Sequence, residues 1–158
     1  LIGLALFITF FIMAPVVGQI NETAFQPYNE GQIETQEFLD RASIPLKEFM
    51  LKQTTAAEVE LYKGLSTTPN VENLQPHELP MSIVVPAFIT SELKRAFIIG
   101  FLLFIPFLII DMIVASTLMS MGIIMLPPVM ISLPFKIMLF VVVDGWGLLI
   151  KSLIMTYN

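Results

Sequence analysis

Three stretches of the chain lack the alternation of polar and apolar positions that a water-facing surface requires. Residues 1–18 (LIGLALFITFFIMAPVVG) carry no charge, residues 96–130 carry only Asp111, and residues 137–150 carry only Asp144. About 20 consecutive apolar residues cross a hydrocarbon core, so each stretch predicts a membrane-type helix. Between the first and second, the pattern changes to short amphipathic segments. In SIPLKEFMLKQ, Ser43 is placed to cap a helix with Pro45 in its first turn, and Leu46, Phe49 and Met50 form an i, i+3, i+4 face. In TTAAEVELYKGL, Thr55 and Glu58 fit a capping box, Leu61, Tyr62 and Leu65 share a face, and Gly64 is a terminator. Pro27, Asn29 and Gly31 punctuate a turn before this region, and STTPNVENLQPHELP reads as a linker after it.

From Pro86 the pattern is that of one long helix, in which Ser91, Glu92, Lys94 and Arg95 cluster just before the apolar run. Pro106 removes an amide donor inside that run and predicts a kink. The stretch MGIIMLPP (121–128) ends the helix and starts the return. On the return segment Lys136, Phe140, Asp144, Gly147 and Lys151 follow one face. Lys136 and Asp144 lie about 12 Å apart along a helix, so their partners must come from other helices.

Composition agrees with this division. Of 158 residues, 56% are hydrophobic and 13% charged, which excludes an ordinary water-soluble domain. Residues 21–80 hold ten acidic and four basic side chains, net −6, whereas residues 81–158 hold three and four, net +1. The middle region is thus a water-exposed acidic domain, and its balance argues against nucleic acid as a partner. The chain has no cysteine and one histidine, His77, so no thiolate chemistry is available and no cofactor, metal site or catalytic residue is expected. The first run lacks the basic flank and cleavage site of a secretory signal. It opens within apolar sequence without Met, and a preceding N-terminal part is expected.

Asp111 is the candidate site that the pattern itself nominates. Carboxylates within membrane segments are costly, and usually face protein or water. Asp111, Ala115, Leu118 and Gly122 form one stripe, and Ser116 and Ser120 a second small pair, which lets another helix approach. Asp111 and Asp144 are therefore expected to be buried polar assembly contacts. Glu92 and Lys136, each a charge beside an apolar run, are expected to pair within a subunit or across a boundary. A proton relay through Asp111 and Asp144, as in an ion-coupled transporter, is the alternative from a different class.

PAFITSELKRAFIIGFLLFIPFLIIDMIVASTLMSMG followed by PPVMISLPFKIMLFVVVDGWGLL resembles the FliP/SctR family of type III protein-export gate subunits, and FQPYNE and PLKEFMLKQT are similar to its flagellar branch. The resemblance implies a mainly α-helical membrane protein of the bacterial inner membrane and flagellar basal body. Its expected domains are residues 1–20, an apolar helix ending a truncated N-terminal region; 21–80, an acidic extracytoplasmic helical domain; and 81–158, an apolar helical hairpin. It further implies that several copies assemble with FliQ and FliR, in association with FlhA and FlhB, into a closed conduit for unfolded flagellar proteins. Subunits of that assembly sit largely above the plane their hydropathy suggests, so Asp111 need not meet lipid. In the family the hairpin tip carries a methionine-rich ring that closes the pore. Here Met121 and Met125 are present, while Ile123 and Ile124 stand where many relatives have Met, and these four residues are the expected gasket. Ile is stiffer than Met, so this gasket conforms less readily.

Overall fold

A computed structural model describes residues 1–123 and 125–157, and among them there are helices and turns but no strand. The chain divides into two compact units, Leu1–Lys94 and Arg95–Asn158.

In the first unit α1 (Ile2–Ile20) runs without a break through a π turn (Asn21–Phe25) into α2 (Gln26–Asn29). Of the three residues expected to punctuate a turn, Pro27 and Asn29 lie in helix and Gly31 makes the turn. There the amide of Gly31 donates to Tyr28 O (3.1 Å) and that of Gln32 to Pro27 O (2.9 Å), with Gly31 at φ 71°. This is the left-handed helix stop that glycine adopts without a Cβ clash. Pro27 has no amide to offer the Thr23 carbonyl, and Arg41 Nη1 donates to that oxygen at 3.5 Å.

The next helix, α3 (Thr35–Gln53), returns against α1 and the π turn. It starts eight residues before Ser43, so Ser43 is not its cap; the Ser43 hydroxyl instead bonds back to Asp40 O at 2.8 Å. Thr55 does occupy the cap position of α4 (Ala56–Leu65), but no capping box forms with Glu58. The Thr55 amide donates to Ser91 Oγ (3.0 Å), and the Glu58 carboxylate pairs with Lys94.

The face of α4 also differs from expectation. Leu61 and Leu65 are exposed, whereas Glu58, Val59 and Lys63 are buried. Val59 packs with Val71, Leu79, Ile83 and Val84, bordered by Met50, Leu51, Tyr62 and Leu74. The buried charges are tolerated because each is bonded: Glu58 to Lys94, and Lys63 Nζ to Leu74 O at 3.1 Å. Val71 and Leu79 belong to the stretch read as a linker, which here forms two 3₁₀ turns, Val71–Asn73 and Pro76–Glu78. The second turn carries the capping box that the sequence reading missed, with the Gln75 amide donating to Glu78 Oε2 at 2.9 Å.

The second unit comprises the rest of α5 (Met81–Ser120), then α6 (Pro128–Val142) and α7 (Gly145–Tyr157). Phe107 lies 6.4 Å from Phe140, ring to ring, and the Arg95 guanidinium 5.8 Å from the Tyr157 ring, so α6 and α7 run back antiparallel to α5. Among the described residues of this unit only Leu118, Ser132 and Gly145 are buried. Phe97, Phe101, Val141 and Val142 are all more than 60% exposed. Apolar helices without a core of their own require lipid or protein around them. By length and composition two helical stretches, Ile2–Asn29 and Met81–Ser120, suffice to cross a membrane, and α6 with α7, bent by 58°, makes a third if the pair counts as one span.

Candidate functional site

Two devices shape the hairpin of α5 and α6. The first is its tip. At the end of α5 the Gly122 amide donates to Met119 O and the Ile123 amide to Leu118 O, both at 3.0 Å, with Gly122 at φ 73°. A second left-handed stop thus ends the long helix, and the paired prolines open the next, Pro128 being its first residue. Between these stops Met121 is 66% and Met125 95% exposed, while Ile123 is half-buried. Ile124, the fourth expected gasket residue, lies outside the described residues.

The second device joins the arms. Asp111 accepts from Ser132 Oγ at 2.5 Å through one carboxylate oxygen and from Lys136 Nζ at 2.6 Å through the other. Ser132 is fully buried; the Asp111 side chain is 34% and Lys136 21% exposed. Inside the chain, then, both oxygens of Asp111 meet protein groups from the opposite arm. Lys136 was expected to pair with Glu92 within a subunit or across a boundary; inside the second unit it bonds Asp111. Ser132 was missed, although its position four residues before Lys136 extends the polar face of α6 by one turn.

Asp144 has a local part. It is exposed in the chain, not buried, and holds the left-handed conformation at φ 49° between α6 and α7. Its carboxylate accepts from the Gly147 amide at 3.4 Å and so serves the start of α7. The surrounding D-G-W-G explains itself by space. A Cβ at Gly145 would run into the Phe140 ring and one at Gly147 into the Asp144 carboxylate. Trp146 then stacks edge-on against Phe140 at 5.4 Å. Among the described residues no three His, Asp or Glu side chains converge on a point where a metal could sit.

Long apolar helices, an almost coreless second unit and a hairpin clasped by an ion pair define an α-helical membrane protein. The sequence model of the FliP family matches residues 1–153. Flagellar biosynthetic protein FliP of Bacillus subtilis (strain 168) is 55% identical over 157 residues, covering 99% of this chain and 70% of the relative. The protein of the same name from Aquifex aeolicus (strain VF5) is 52% identical over 158 residues, covering 100% and 66%. That from Caulobacter vibrioides is 50% identical over 158 residues, covering 100% and 59%. The chain belongs to the FliP family, and spans about 59–70% of the length of these relatives.

Proposed function

We propose that this chain is the pore-forming part of a flagellar type III protein-export gate subunit in the bacterial inner membrane. Several copies assemble with FliQ and FliR, associate with FlhA and FlhB, and pass unfolded flagellar proteins while sealing the resting pore. The chain performs no catalysis of its own. The observation that carries this reading is the hairpin of a FliP-family chain whose arms are clasped at Asp111 and whose uncharged tip projects Met121 and Met125. Copies arranged about an axis would bring such tips together, and a hydrophobic constriction closes a wide pore to ions by excluding water. Lys136 has three N–H donors, so its bond to Asp111 leaves room for a second carboxylate. Glu92 of a neighbouring copy fits that place, and the acidic 21–80 region faces away from the cytoplasm.

The seal is tested by replacing Ile123, Ile124 and Met125 together with Ala. The expected outcome is an assembled complex at normal level in cells that leak small ions and grow poorly. Unchanged leakage at normal complex level would place the closure elsewhere.

A further inference from the structure

Asp111 has two partners on α6, and they differ in what they fix. Lys136 reaches the carboxylate through a flexible four-carbon stem carrying a compact charge, so its bond survives axial slippage between the arms. The Ser132 hydroxyl stands one bond beyond Cβ and has no such reach. It is fully buried, 2.5 Å from Asp111 Oδ1 and 3.1 Å from Val129 O of its own helix. One hydroxyl proton serves one strong bond, and the carboxylate is the stronger acceptor. A slip of α6 by one turn, about 5.4 Å, would leave Lys136 able to follow Asp111 but would take the Ser132 hydroxyl away from its charged acceptor and leave it only the longer bond to Val129 O of its own helix.

We infer that Ser132 is a positioning residue that sets the axial register of α6 against α5, and with it the height of the 121–127 tip, while Lys136 supplies charge balance. The register stands on the geometry alone; its consequence for a seal rests on the pore reading above. Phe107 against Phe140, also between the arms, is an apolar contact without a directional bond to fix a register.

The test uses the absence of native cysteine. Spin labels are placed through Met119→Cys on α5 and Met130→Cys on α6, at side chains 71% and 72% exposed. The purified partner-containing assembly is diluted with unlabelled subunit, and pulsed electron resonance reads the distance within one chain. The parent is expected to give one narrow distribution. Ser132→Ala should broaden or split it by about one helical turn, whereas Lys136→Gln should keep its width. Ser132→Thr keeps a hydroxyl and should keep the parent's width, while Ser132→Gly removes it without adding bulk, should broaden the distribution as Ala does, and decides the matter if Ala does not assemble. An unchanged distribution in Ser132→Ala, or equal broadening in Lys136→Gln, overturns the assignment. Broadening without ion leakage upholds the register role and counts instead against the seal at the tip.

Discussion

At Asp111 two bonds of different kinds meet on one carboxylate, which allows the charge and the hydrogen bonds to be separated by substitution. Asn at this position keeps an acceptor for Ser132 and loses the charge that faces Lys136; Leu loses both, leaving Lys136 without its counter-charge and the Ser132 hydroxyl with only the Val129 carbonyl. The expected order of assembled complex, measured by native gel of detergent extracts, is parent, then Asp111→Asn, then Asp111→Leu. A proton relay predicts another result: full assembly of Asp111→Asn with export abolished. What the sequence reveals at this scale follows from contrast. Asp111 and Lys136 interrupt apolar sequence and declare themselves. Ser132 does not, because serine is ordinary in a membrane helix and only the fold shows it opposite a carboxylate. Asp144 is equally visible as a charge, yet its part in the chain depends on a backbone conformation that sequence does not display.

Two helices, α2 and α5, end where glycine permits a left-handed residue, and the end of α5 is the one that aims the tip. Gly122 has open space where a Cβ would sit, so the cost of a side chain there is conformational and not steric crowding. Placing an L-residue in the left-handed region costs about 1–2 kcal/mol, and a β-branched one more. Gly122→Val is therefore expected to loosen the stop and let the 121–127 segment exchange amide hydrogens about tenfold or more faster, since each 1.4 kcal/mol is a factor of ten. Gly122→Ala should do so less. Exchange at 121–127 in Gly122→Val equal to that of the parent would mean the tip is held by something other than this stop. The long helix is legible from its apolar run and its glycine stop. The face of α4 is not, because Glu58 and Lys63 look like solvent residues until Lys94 and Leu74 are found beside them. Ser43 misleads for a related reason. Followed by Pro45 it reads as a cap, whereas tertiary packing carries α3 straight through it.

Over the whole chain the apolar surface has no internal explanation. In the second unit three described residues are buried, while Phe97 is 72%, Phe101 65% and Val142 76% exposed. Surface of this kind is covered either by acyl chains or by protein, and the two coverings leave different traces. Oxygen concentrates in hydrocarbon and a nickel chelate in water; a side chain packed against protein meets neither. The export-gate reading places partner subunits around these helices, and that assignment is open to direct measurement. Spin labels at Phe97→Cys, Phe101→Cys and Val142→Cys, one per chain, are expected to be shielded from both relaxants in the assembled complex. In the chain purified alone in detergent the same labels should become strongly accessible to oxygen. Labels that remain oxygen-accessible in the assembled complex would show that these helices face lipid there, and that the apolar surface serves membrane insertion instead of subunit packing.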